Sequence, residues 1–200
     1  MKTRLLLLSL LTLCLTVSSS FAQNRWGIMS GVNLSTSSAK DVGWRAGGYI
    51  GGLYDIRLSD AWYIQPQLLY SYEENQTKEK SQVDIFYSQH ALTLPVLVSF
   101  KVPLSTAFAL RVNAGPYVQY ALFGRDKSAY SDANAVEAGY SLGWWHADFI
   151  DHFTYGLKGG VTLEHKHWFF SMDCKYSLKK SFLNNEGHGL TLSAGIGYKF

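Results

Sequence analysis

The feature that most limits what this chain can become is an alternation with a period of two, sustained far longer than an ordinary strand. From Trp62 to Tyr72, the residues Trp62, Ile64, Pro66, Leu68, Tyr70 and Tyr72 alternate with Tyr63, Gln65, Gln67, Leu69 and Ser71. Successive side chains of a strand point to opposite faces, so this spacing places the first set on one face. The pattern recurs from Gln89 to Lys101, Phe108 to Leu122, Phe153 to Glu164, Trp168 to Leu178 and Leu190 to Phe200. In the second of these, Phe108, Leu110, Val112, Ala114, Pro116, Val118, Tyr120 and Leu122 form the apolar set. Two earlier segments, a short one from Trp26 to Leu34 and another from Val42 to Leu58, complete a set of eight. Strands of soluble domains usually run about 5 to 6 residues, whereas a tilted strand crossing a bilayer needs about 9 to 11. The length points to a membrane.

Alternation alone also suits a soluble sandwich, so the connections and charges must decide. Ser59 to Ala61, Val102 to Ala107 and His165 to His167 are short; Glu74 to Ile85, Gly124 to Ile150 and Lys179 to His188 are long, and Ser35 to Asp41 is intermediate. Short turns at one end and long loops at the other are the mark of an outer-membrane barrel. Aromatic residues gather at the strand ends, with Trp62, Phe100, Phe108, Trp168, Tyr198 and Phe200 at one rim and Trp44, Tyr70, Tyr72, Tyr120 and Tyr176 at the other. Such rings sit at membrane–water interfaces. The charged residues within strands fall on the register opposite the large apolar ones, as expected where a basic side chain facing mid-bilayer costs roughly 2 to 4 kcal/mol.

The N-terminus supplies the route. Lys2 and Arg4 precede an apolar run from Leu5 to Val17, followed by Ser20-Phe21-Ala22. This reads as a signal peptide over residues 1–22, cleaved before Gln23 and too short to span a membrane as a helix. Residues 23–200 then form one domain. Without Lys2 and Arg4, the 18 basic residues become 16 against 15 acidic, a near balance that gives nucleic acid no footing. Cys14 departs with the signal, leaving Cys174 alone and no internal disulfide.

Hydrocarbon cannot satisfy exposed backbone N–H and C=O groups, so the sheet must close on itself. The expected fold is all-β: an eight-stranded antiparallel up-and-down transmembrane β-barrel. Eight strands enclose room for side chains, not a water-filled channel. Gly31, Gly47, Gly51, Gly115, Gly156, Gly160, Gly195 and Gly197 share the inward register with the bulky Tyr49, Tyr117 and Phe169, a pairing that lets a tightly curved wall close.

Several segments carry a family likeness: Gly27 to Ser35, Trp62 to Tyr72, Ala91 to Lys101, Val112 to Tyr120 and Gly195 to Phe200. With Pro66 and Pro95 in successive strands and Ala114-Gly115-Pro116-Tyr117 following, they resemble the PorT-like outer-membrane β-barrel proteins. The resemblance covers nearly all of residues 23–200 and implies the barrel fold and an outer-membrane location. The founding member is associated with assembly of a protein-secretion system, a role kept here as an alternative. Ser193, Gly195, Tyr198 and Phe200 resemble the terminal signal read by the barrel-assembly machinery, which implies that machinery as a partner during insertion.

Three groups of residues invite a functional reading. Asp55, Arg57, Lys101, Arg111, Glu164, Asp173 and Lys199 point inward near the short-turn end, and buried charges persist only when paired. They are expected to form an interior network that plugs the barrel and sets its register. Tyr130, Tyr140, Trp144, Trp145 and Phe149 make the longest loop aromatic, as contact surfaces are, and suggest an envelope protein partner there. His146, His152, Asp148, Asp151, Ser128, Ser131 and Ser141 lie near that loop without the spacing of a hydrolase triad, and His165 and His167 sit in a turn too short to argue for a metal. The reading is a non-enzymatic, monomeric barrel without cofactor or metal, surrounded by outer-membrane lipid and lipopolysaccharide. A lipid-modifying enzyme is the other alternative.

Overall fold

In a computed structural model the strands are β1 (Arg25–Ser37), β2 (Arg45–Arg57), β3 (Trp62–Lys78), β4 (Val83–Pro103), β5 (Phe108–Tyr130), β6 (Phe153–His165), β7 (Trp168–Lys180) and β8 (His188–Lys199). The structure describes residues 25–37, 43–78, 83–130, 153–180 and 188–200, with backbone alone at 37, 75–78, 83–87, 125–130 and 180. The expected signal segment, residues 1–22, lies outside this range. Each strand pairs antiparallel with its neighbours in sequence, and β1 pairs with β8 from Gly27↔Lys199 to Ser37↔Gly189, closing the barrel. No strand edge is left along that wall, which meets the backbone requirement of a bilayer.

The barrel is inside out relative to a soluble domain. Among the described residues, 20 polar or charged side chains are buried against 11 hydrophobic ones. Ile28, Ile50, Leu68, Leu94, Val112, Leu157 and Ile196 lie exposed on the outer wall. An apolar surface that extensive is tolerable only against lipid. Rings mark the short-turn rim, where Trp62 packs on Phe100 at 4.9 Å and Trp168 meets Tyr198 at 5.2 Å. Cys174 is exposed on this wall beside Met172 and Tyr176. A membrane-soluble maleimide is therefore expected to label it in intact membranes while a charged one does not; labelling of folded protein by the charged reagent would remove Cys174 from the lipid face.

Inside, the inward glycines face bulky neighbours. An added Cβ at Gly195 would strike the Tyr49 hydroxyl, at Gly197 the Phe169 ring, and at Gly156 the Tyr176 carbonyl oxygen. Outward Gly52 would meet nothing nearer than 3.7 Å. The short turns repeat one device. Ser59 Oγ accepts from Trp62 N at 3.2 Å and Ser105 Oγ from Phe108 N at 3.1 Å, so the hydroxyl satisfies the first donor of the next strand. At the third turn Lys166 takes the left-handed region, with φ 57.

Four details depart from the sequence expectation. The β1 strand is full length rather than short. The segment expected as a loop from Glu74 to Ile85 is strand up to Lys78 and again from Val83, and the loop expected from Gly124 is strand as far as Tyr130. Polar residues such as Gln76 and Thr77 hid this, because beyond the hydrocarbon the ladder no longer needs an apolar face. The β3–β4 register accordingly continues to Lys78↔Asp84 and the β4–β5 register to Val83↔Tyr130. Leu122 does not continue the outward set. A bulge carries the pairing from Ala91↔Ala121 to His90↔Phe123, so Phe123 takes the outer face and stacks on His90 at 4.4 Å.

Three prolines also leave their trace. The β2–β3 ladder skips from Leu53↔Gln67 to Ile56↔Ile64, β3–β4 from Pro66↔Val96 to Leu69↔Thr93, and β4–β5 from Pro95↔Tyr117 to Val98↔Ala114. Each gap contains one proline, Pro66, Pro95 or Pro116, which has no N–H to give. Register is kept across every gap.

Candidate functional site

Period two sends Asp55, Lys101, Arg111, Glu164 and Lys199 inward from five different strands, and near the short-turn end they meet. Lys199 Nζ donates to Asp55 Oδ2 at 2.7 Å and to Glu164 Oε1 at 2.6 Å. Arg111 lies 3.0 Å from Asp55 and 2.8 Å from Glu164 as an ion pair, although its Nε and Nη1 hydrogens are not aligned as hydrogen bonds. Its guanidinium stands over the Tyr63 ring at 4.3 Å. Lys101, more exposed at 28%, reaches Glu164 Oε2 at 2.9 Å. Two carboxylates thus hold three cations, and β2 is strapped through the lumen to β5 and β8 rather than to its ladder partners alone.

Higher up are two further tiers. Lys158 pairs with Asp173 at 3.5 Å and donates to Gln67 Oε1 at 3.0 Å. Gln67 donates to Gln65, and Gln65 to Asp55 Oδ1 at 2.7 Å, so this tier is wired to the one below. Nearer the outer rim, Lys175 donates to Glu73 Oε1 at 2.5 Å and to Gln119 at 2.6 Å, while Gln89 and Gln119 donate to Glu73 Oε2. Lys158 and Lys175 are direct cross-strand partners, a repulsive arrangement that the structure relieves by sending one down to Asp173 and the other up to Glu73.

The sequence grouping was therefore too narrow in one place and too broad in another. Glu73, Lys158 and Lys175 belong to the interior network, and their inward register was the signal that pointed to them. Arg57 instead pairs with Asp60 in the adjacent turn and donates from Nε to the Ser59 carbonyl at 3.2 Å. It stands at the mouth, where the turn supplies a nearer carboxylate. Asp173 belongs to the middle tier with Lys158.

A sequence profile described as the outer membrane protein beta-barrel domain matches residues 21–183. The chain belongs to that outer-membrane β-barrel family. Its place is accordingly the outer membrane. Solved structures similar to this barrel include Ail of Yersinia pestis, at 13% identity over 89% of this chain and 99% of that one (TM-score 0.45). OprG of Pseudomonas aeruginosa is similar at 14% identity over 88% and 96% (TM-score 0.48), and the Neisserial surface protein NspA at 12% over 88% and 97% (TM-score 0.46). No curated protein matches the chain in sequence.

On β8, Ser193 and Gly195 sit opposite Asn33 and Gly31; at the short-turn end Tyr198 packs edge-on against Phe200 at 5.3 Å, and Phe200 N donates to Trp26 O at 2.8 Å. His165 stacks on Phe108 at 4.5 Å and His167 on Tyr198 at 5.5 Å, giving each imidazole its own aromatic partner. Among the described residues no group of three or more His, Cys, Asp or Glu is placed to hold a metal. Tyr130 ends β5, where only its backbone is described. Tyr140, Trp144, Trp145 and Phe149, like His146, His152, Asp148, Asp151, Ser131 and Ser141, lie outside the described residues.

Proposed function

We propose that this protein is a closed, non-conducting and non-enzymatic outer-membrane barrel that works through its outer end, as a structural element presenting a binding surface to another envelope component. The observation that carries this reading is the lumen. Three tiers of paired charges cross it, and Tyr49, Tyr117 and Phe169 are buried there, which among the described residues supports a lumen closed to solutes. Work is then left to the outside, where loops on a rigid scaffold vary without disturbing closure. The continuation of β3, β4 and β5 toward residues 78, 83 and 130 supports a platform at that end. The aromatic content of the segment that follows, with Tyr130, Tyr140, Trp144, Trp145 and Phe149, supports protein contact there.

Kinship with the PorT-like barrels belongs to the same proposal, supported by the prolines of three successive strands. So does recognition of Ser193, Gly195, Tyr198 and Phe200 by the assembly machinery, supported by the place of the first three on the closing strand and of Phe200 directly after it. Lipopolysaccharide and phospholipid would pack on the apolar wall between its aromatic rims.

Two measurements on detergent-purified protein test the reading. In planar bilayers the wild type is expected to add no conductance steps, and its unboiled gel band should run ahead of the boiled one. Deletion of Ser128 to Ser141 should keep that gel shift and lose any envelope protein that co-purifies. Steady ionic steps from wild type would overturn the plugged lumen; deletion without loss of any interaction would overturn the loop surface.

A further inference from the structure

Two of the three short turns use their polar side chains on themselves: Ser59, Asp60 and Ser105 all bond within or beside their own turn. The third, between β6 and β7, does not. It is two residues long, closed by the pair His165↔Trp168, and Lys166 at its first position has φ 57. Two-residue hairpins usually place glycine or asparagine in such a backbone, because a Cβ crowds it. Among the described residues Lys166 is alone in that region, glycines included. A lysine held where glycine would sit at less cost directs attention to its side chain.

The side chains around this turn are held in place and turned outward. His165 stacks on Phe108 at 4.5 Å and His167 on Tyr198 at 5.5 Å, and all three residues of the turn segment are exposed. His167 Nδ1 lies 3.0 Å from the Lys199 carbonyl oxygen. A carbonyl can only accept, so Nδ1 carries the hydrogen and Nε2 is left for another group. Lys166 N donates to Ala107 O at 3.3 Å and Lys199 N to His167 O at 2.8 Å, which ties the turn to its neighbour and to β8. Among the described residues the Lys166 ammonium has no ion pair.

Charge and depth select what lies against it. Three side-chain carboxylates stand at this end among the described residues, and each is engaged elsewhere: Asp55 and Glu164 in the lumen with Lys199 and Arg111, Asp60 with Arg57. Exposed Arg25, at the start of β1, adds to the surplus of positive charge. The turn lies beside Phe108, Trp168 and Tyr198, rings of the kind that mark the headgroup layer of a bilayer. The anion abundant at that depth is lipid phosphate.

We propose that His165, Lys166 and His167 form a docking site for an anionic phospholipid with a hydroxylated headgroup. Lys166 holds its phosphate, His167 Nε2 accepts from a headgroup hydroxyl, and the acyl chains run along Leu163 and Phe170, the outward pair next to His165 and Trp168 on the same two strands. Such a contact fixes how deeply the short-turn rim sits in the membrane. It lies at the opposite end from the long loops and does not depend on what they bind.

Native mass spectrometry of the detergent-purified barrel, titrated with phosphatidylglycerol and separately with phosphatidylcholine, tests the site. One basic side chain near an anionic lipid surface is worth about fivefold in partitioning, so the wild type should hold phosphatidylglycerol about fivefold more tightly. Lys166→Asn should bring the two lipids near parity, Lys166→Arg should keep the preference, and excess inorganic phosphate should not displace the lipid. Asparagine adopts the left-handed backbone readily, so Lys166→Asn should leave or raise the temperature at which the unboiled band converts. No preference in the wild type, or one that survives in Lys166→Asn, would overturn the proposal. Displacement by free phosphate would make the site one for a small anion instead, and a lower conversion temperature in Lys166→Asn would show that the lysine serves only its own turn; either result also sinks it.

Discussion

Replacing Asp55 with alanine is expected to cost about 3–5 kcal/mol, because it strands buried cations instead of removing a whole pair. Asp55 is 1% exposed and faces Lys199, Arg111 and Gln65 at once. Its loss would leave Glu164 as the one carboxylate of that tier facing Arg111, Lys199 and Lys101. Lys101→Met is the control. That lysine is the partly exposed member, so its ion pair falls in the weak range, up to about 1 kcal/mol. Reversible urea unfolding in lipid vesicles, followed by tryptophan emission, measures both. A loss at Asp55 no larger than at Lys101 would mean that water screens the cluster and that the lumen is not held by it.

Gly156→Ala is expected to suppress formation of the fast-migrating folded band, while Gly159→Ala, three residues along the same strand, should fold like wild type. At Gly156 the new methyl would collide with the Tyr176 carbonyl oxygen of the neighbouring strand and approach Tyr117 Cε1 at 2.8 Å and Ser177 Cα at 3.0 Å. Two of those three atoms are backbone, so relief requires moving the wall itself. Overpacking of this kind costs about 1–3 kcal/mol and sometimes more. At Gly159 the nearest atoms are Asn113 O at 3.4 Å and Ala114 Cβ at 3.9 Å, ordinary contacts on the outer face. The fraction folded after refolding into detergent micelles, read from unboiled gels, separates the two. Equal yields would show that the inward register has slack that the present wall spacing denies.

Much of this was legible before any coordinates. Strand faces obey a local rule, since a residue and its second neighbour must point the same way. Hydrocarbon punishes any charge on the wrong face. Together these placed Asp55, Arg111, Glu164 and Lys199 inside and Ile50, Leu94 and Val112 outside without reference to any partner strand. The short turns followed equally, because Leu58-Ser59-Asp60-Ala61 and Leu104-Ser105-Thr106-Ala107 bring their own hydroxyl acceptors.

The outer end was harder, because its rule changes. Above the bilayer both faces of a strand are wet, so alternation fades at Glu74 while the ladder itself runs on to Lys78. The bulge at Leu122 is invisible for a related reason: Leu122 and Phe123 are both apolar, and only pairing with His90 shows which one takes the outer face.

Pairing within the lumen is where sequence reasoning ends. Which carboxylate a lysine reaches depends on the stagger between strands, and that stagger exists only once β1 and β8 have closed. Arg57 was diverted to Asp60 by a turn, Asp173 was taken by Lys158, and Glu73 was joined to Lys175 across the full width of the barrel. The wall, its two faces and its short turns are properties of neighbours along the chain. The charge tiers and the extended outer strands come from contacts between distant residues, which closure alone brings within reach.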